Sequence, residues 1–381
     1  KIMSIEKRFF GKLDGKGDVD IYKITNKNGA FVELMTLGAG IHSINVPDRN
    51  GKLGDVVLGF DDVNNYLNPD LGYQGLVVGR YANRIRDAKF SMDGVEYNTP
   101  KNQGTWTLHG GGRFSFNIWE VKETGNDFVV FSFFSPDMQD GFPGNFTMNV
   151  KYTFDDSNTL KIEYFVLSDK KTVANPTNHA YFNLSADSSK TVEDEYLQVN
   201  ADKFTETDDT QLPTGELGLV EGTMMDFRTL HKIGDKIDEP FRAIIEGIGY
   251  DNNYCLYDKK LGELTQAAVL YDEASGRQMQ VYTDLVGIQV YCGGWLAKDG
   301  NPGKGNSKVT FRRGVALETQ FYPDSVNHSN LIKNGQFIVN CPFCYAVIKY
   351  VLVNRPNFDY TVNCCYIVKH LLSRGFVNIN N

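Results

Sequence analysis

Three residues have the type and setting for proton transfer: His109, His179 and Glu318. His179 lies in PTNHAYFNL, residues 176–184, which reads as a strand whose Asn178 and Asn183 flank an aromatic pair. His109 precedes three glycines in TWTLHGGG, residues 105–112, where missing side chains allow a ligand close to the backbone. Histidine is the side chain that changes charge near neutral pH. Glu318 interrupts an apolar run in GVALETQFYPD, residues 314–324, and a carboxylate at the end of a buried strand is a candidate general base with a tuned pKa. Each also has a plainer reading, the histidines as satisfied structural residues and the glutamate as a surface acid. Arg80, Arg84 and Arg86 in GRYANRIRD, residues 79–87, either are solvated or present fixed donors to ligand oxygens.

These residues need a scaffold, and strand signals dominate the chain. Asp18 to Ile24, Phe31 to Leu37 and Ile41 to Val46 alternate β-branched or aromatic residues with polar ones, the pattern of half-buried antiparallel strands. Asn-Gly at the centre of PDRNGKLGD, residues 47–55, predicts a hairpin. The same grammar recurs from Trp119 to Phe134 and from Met148 to Leu167. Helical periodicity is scarce before residue 330, and no alternation of strands with helices appears, which disfavours a Rossmann or α/β-barrel plan. The fold class expected is mainly β, with stacked antiparallel sheets forming a large β-sandwich and few short helices.

Composition narrows the function. A chain of 381 residues that is 41% hydrophobic and 23% charged has material for one large folded domain. A net charge of -8 with acids and bases interspersed offers no grip on a nucleic acid. No apolar run approaches the roughly 20 residues of a membrane helix, and the opening KIMSIEKRFF lacks the apolar core of a signal peptide, so the expected compartment is the cytoplasm, with a secreted form as the alternative because the sequence opens on Lys1 rather than Met. Of six cysteines only Cys341 and Cys344 have CxxC spacing, and adjacent Cys364 and Cys365 supply no second pair, so ordinary thiols are expected rather than a metal or disulfide. Metalloprotease, phosphate-loop and dinucleotide motifs are absent from the sequence.

Five segments, GRYANRI, LHGG, NHAYFNL, GYDNNYCL and LETQFYPDS, occur in an order and spacing that resembles the galactose mutarotase (aldose 1-epimerase) family from about Ile5 to Asn330. The resemblance implies a sugar bound in an open cleft on one sheet of a large sandwich. It implies Glu318 as catalytic base and His179 as catalytic acid, with Asn83, Arg84, His109, Asp251 and Gln289 as substrate-binding residues. It implies a small aldose sugar as the partner and neither a metal nor an organic cofactor. Oligomeric state stays open between monomer and homodimer. Asn252 and Phe321 stand where the family often has histidine, which points to a different cleft rim and sugar preference. Residues 331–381 depart from family tails and are read as an atypical C-terminal extension, with a final strand near 351–368. Two other readings accompany the epimerase: a hexose-phosphate 1-epimerase, which needs a cationic pocket and finds clustered arginine only at residues 80–86, and a non-catalytic sugar-binding module, which has no need of both Glu318 and His179.

Overall fold

A computed structural model describes residues 2–257, 262–331, 338–339 and 344–354. Alternation in the sequence becomes alternation in burial: along Phe146–Phe154, the side chains of Phe146, Met148, Val150, Tyr152 and Phe154 are buried and those between them half-buried. The turn into Thr159–Ser168 is set by Asp155, whose carboxylate accepts the backbone N–H groups of Ser157 at 2.8 Å and Thr159 at 3.0 Å. The Asn-Gly turn joins Gly40–Pro47 to Leu53–Asp55, with Gly51 at a φ of 79°.

Three antiparallel sheets dominate. The largest has nine strands, in the order Glu120–Thr124, Phe128–Ser135, Phe146–Phe154, Thr159–Ser168, Cys344–Asn354, Arg277–Thr283, Thr265–Tyr271, Tyr196–Val199 and His231–Lys232. A six-stranded sheet runs Tyr181–Phe182, Val315–Gln320, Gly287–Tyr291, Asp251–Leu256, Ala201–Thr207 and Pro213–Leu219, and a five-stranded sheet spans Ser4–Leu13 to Leu53–Asp55 in chain order. One core joins them: Ile162, Ile348 and Leu352 of the first pack with Ile288, Val290 and Leu317 of the second and Val32, Leu34 and Ile44 of the third. The one α-helix among the described residues is Arg242–Gly247, and no helix among them is long and apolar enough to cross a membrane.

The last described strand lies earlier than the sequence suggested. It occupies Cys344–Asn354 and overlaps the expected 351–368 only at its end. There it fills the gap between Thr159–Ser168 and Arg277–Thr283. The pattern that decides its place is the alternation of buried Ile348, Tyr350 and Leu352 with half-buried Lys349, Val351 and Val353, a stronger β signal than the segment after it. Cys341, Cys364, Cys365 and the chain after Asn354 lie outside the described residues.

Candidate active site

Register in the six-stranded sheet gathers three of the expected residues. Asp251 faces Tyr291, and Gln289 lies between Asn253 and Glu318. Because side chains alternate with period two, Asp251, Gln289, Tyr291 and Glu318 share one face, while Val290 and Leu317 turn into the core. Glu318 thus stands inside a strand buried along its whole length, with Gln289 of the neighbouring strand paired to it.

His179 sits where the chain passes from one ladder to another. Thr177–Asn178 pairs with Val77–Val78, and Tyr181–Phe182 pairs with the strand carrying Glu318. Its N–H donates to the carbonyl of Leu76 at 2.9 Å, and its carbonyl accepts the N–H of Gly75 at 3.0 Å. Gly75 has a φ of 71°, and a Cβ there would lie 2.0 Å from the Ile41 carbonyl oxygen, so only glycine lets this brace form. Asn178 donates to the Gly75 carbonyl and Asn183 to those of Lys190 and Arg313; both hold backbone.

A short ladder presents Asn83, Arg84 and His109. Leu108 pairs with Arg84, and the two flanking residues lock to each other: the His109 N–H donates to the Asn83 carbonyl at 3.0 Å, and the Asn83 N–H donates to His109 Nδ1 at 3.2 Å. Asn83 and His109 adopt φ values of 62° and 52°, a left-handed backbone that asparagine tolerates better than most residues. A Cβ on Gly110 would come within 2.4 Å of the Gly79 carbonyl oxygen, which explains the glycine after His109.

All seven sequence-predicted site residues therefore meet in one buried cluster. His179 Nε2 is 3.6 Å from Glu318 Oε1, with side chains 5% and 2% exposed; that is too long for a hydrogen bond and leaves both groups able to engage a third atom. His109 packs edge-on to His179 at 5.3 Å, and Tyr73 and Tyr181 flank His179 at 6.1 and 5.0 Å. On the other side, Asp251 accepts from Gln289 Nε2 at 2.7 Å, Gln211 Nε2 at 3.1 Å and Arg84 Nη2 at 3.4 Å. Four buried polar atoms here have no partner: Glu318 Oε2, His179 Nδ1, Gln289 Oε1 and Arg84 Nε. Buried polar groups are nearly always paired, so this set of donors and acceptors suits a ligand rich in hydroxyl groups. Burial raises the pKa of Glu318 well above the carboxylate range, Asp251 adding to the rise and Arg84 opposing it. Burial pushes His179 down to about 4 and His109 well below its ordinary value.

His109, His179 and Glu318 each bring a donor atom within 4.8 Å of the other two, a spacing that invites comparison with a metal centre. The tautomer of His109 argues otherwise. Its Nδ1 accepts the Asn83 N–H, which assigns the ring proton to Nε2 and makes that atom a donor without a lone pair for a cation. A ligand hydroxyl oxygen suits it better.

The profile of the family described as Aldose 1-epimerase matches residues 20–338. The chain belongs to the aldose 1-epimerase family. It is 36% identical to the galactose mutarotase of Bos taurus over 88% of its own length and 96% of that protein's. It is likewise 36% identical to the aldose 1-epimerase of Haemophilus influenzae, over 85% of its own length and 92% of that enzyme's. The solved structure of an aldose epimerase homologue from C. elegans superimposes with a TM-score of 0.78 at 29% identity, covering 92% of this chain and 99% of that one. The activity is that of an isomerase acting at the anomeric carbon of an aldose.

Within this epimerase the arginine cluster divides. Of the three clustered arginines only Arg84 enters the cleft. Arg80 is buried and donates to the carbonyls of Ser135, Pro136, Phe142, Pro143 and Gly144, and Arg86 pairs with Asp208 at 2.6 Å. The two departures expected to alter the cleft rim do not reach it. Asn252 lies opposite Val290 on the core side of the sheet, and Phe321 joins the hydrophobic core. Sequence reasoning missed Gln211, Tyr73 and Tyr181. Tyr181 stands two residues after His179 and was within reach, whereas Gln211 sits in a turn remote in sequence from every motif and gives no signal.

Proposed function

We propose that the enzyme interconverts the α and β anomers of free hexoses such as galactose and glucose, with Glu318 as general base and His179 as general acid. Glu318 takes the proton from the C1 hydroxyl while His179 delivers one to the ring oxygen; the C1–O5 bond breaks and the aldehyde forms. Rotation about C1–C2 presents the other carbonyl face, and reclosure with the proton roles reversed gives the opposite anomer. Asn83, Arg84, His109, Asp251 and Gln289 hold the sugar: His109 Nε2–H and Arg84 Nε–H donate to sugar oxygens, and Gln289 Oε1 and Asp251 accept from hydroxyls. The observation that carries this reading is the approach of His179 and Glu318 to 3.6 Å with unpartnered atoms on both.

The pair is a single proton store. Burial favours one shared proton, on either the carboxyl or the imidazole, over both charged extremes. The working form, carboxylate beside imidazolium, has the same proton count as the neutral form and is reached by transfer across the pair. Acid–base assistance of this type contributes about 10²–10⁴-fold in rate. Polarimetry of freshly dissolved α-D-galactose and α-D-glucose tests the reading: the wild-type protein should accelerate the approach to equilibrium rotation and Glu318→Gln should not. Acceleration that survives in Glu318→Gln removes the glutamate from the role of base.

A further inference from the structure

Gln211 occupies the boundary between a cation and an anion. Its Oε1 accepts from Arg84 Nη2 at 3.1 Å, and its Nε2 donates to Asp251 Oδ2 at 3.1 Å. A carboxamide is the side chain that meets both neighbours with the correct polarity, because a carboxylate would repel Asp251 and an ammonium would repel Arg84. The direct Arg84–Asp251 contact is long, at 3.4 Å, so the amide is the closer partner of each. Gln211 is held at a φ of 62°, in a turn closed by a bond from Asp208 N–H to the Leu212 carbonyl at 2.9 Å. Asp208 caps that turn through Thr210 and Leu212, and Arg86 anchors it by binding both the Asp208 carboxylate and the Pro213 carbonyl. Burial works against the charge on Asp208, but Thr210 and Arg86 hold its pKa down to about 2, so the anchor stays ionised through the working range.

We propose that Gln211 is a positioning residue for the epimerase, holding the direct Arg84–Asp251 ion pair at its long 3.4 Å contact so that both groups stay directed at the sugar. The inference rests on the reading of Arg84 and Asp251 as sugar-binding residues. Without the amide, the 3.4 Å contact between Arg84 Nη2 and Asp251 shortens, and the guanidinium and carboxylate that should meet the sugar satisfy each other instead.

The test is polarimetric kinetics on α-D-galactose with Gln211→Ala, Gln211→Glu, Asp251→Ala and the double variant Gln211→Ala/Asp251→Ala, each checked for an unchanged thermal unfolding midpoint. Gln211→Ala should raise KM about tenfold with kcat within about twofold, the signature of lost ground-state binding. Gln211→Glu, of equal size, should do no better than alanine. In the Asp251→Ala background, removal of Gln211 should change KM less than about twofold, because the ion-pair closure that it prevents needs Asp251. A full effect of Gln211→Ala in that background, a wild-type KM in Gln211→Glu, or activity lost only in step with the unfolding midpoint would each overturn the proposal. An unchanged KM in Asp251→Ala alone would instead strike at the assignment of that residue to sugar binding, a separately readable failure.

Discussion

In the proposed mechanism the chemistry comes down to two side chains whose environments push their proton affinities toward each other. Burial raises Glu318 and lowers His179, so at both ends of the pH scale the pair leaves its single-proton state. Below the lowered pKa of about 4 that marks His179, a second proton is taken up and the base is lost. Above the raised value of Glu318, the last proton leaves and the acid is lost. The dependence of kcat/KM on pH should therefore be a bell with its acid limb near pH 4 and a fall on the alkaline side where the pair gives up its remaining proton. In Glu318→Gln the bell shape should disappear together with the catalysed rate; a bell of unchanged shape in that variant would assign it to other groups.

Strands do the positioning, and the least expected of them lies far along the chain. Cys344–Asn354 has hydrogen-bonded neighbours on both sides, and its Tyr350 packs on Phe182 at a ring distance of 5.0 Å, with the hydroxyl donating to the Leu317 carbonyl at 3.5 Å. Leu317 and Phe182 adjoin Glu318 and Tyr181, so this strand supports the face that carries Glu318 from behind. Tyr350→Ala should cost about 3–5 kcal/mol, the range for a large buried aromatic, read as a lower urea midpoint; a loss under about 1 kcal/mol would show that the strand carries little of the fold. The hairpins at residues 40–55 and 146–168 were legible because alternation and turn chemistry are local. The site motifs were legible because each is a short contiguous run. The place of the last strand was not, since a central strand is chosen by the gap between Thr159–Ser168 and Arg277–Thr283, and these are separated by more than a hundred residues. Gln211 was illegible for the same reason: its partners Arg84 and Asp251 reach it only through the fold.

At the scale of the whole molecule, the proposed reading makes charge a discriminator among sugars. The protein carries a net charge of -8, and the site sets Asp251 against the guanidinium of Arg84, already engaged by Asp251 and Gln211, with the single-proton Glu318–His179 pair net neutral. A hexose 6-phosphate would bring two further negative charges with no free cation to receive them among the described cleft residues. Its KM should exceed that of the free hexose by about tenfold at low ionic strength, a gap that narrows with salt as screening shortens the field; equal KM values at low salt would contradict this. The central claim, that Glu318 and His179 work as one proton-transferring unit, is tested most directly by polarimetric rates for Glu318→Gln, His179→Asn and the double variant at saturating galactose. The three should fall by similar factors, on the order of 10² or more, with the double variant little worse than either single one, as for residues that act together. Independent, multiplying losses, or a single variant that keeps near wild-type turnover, would contradict it.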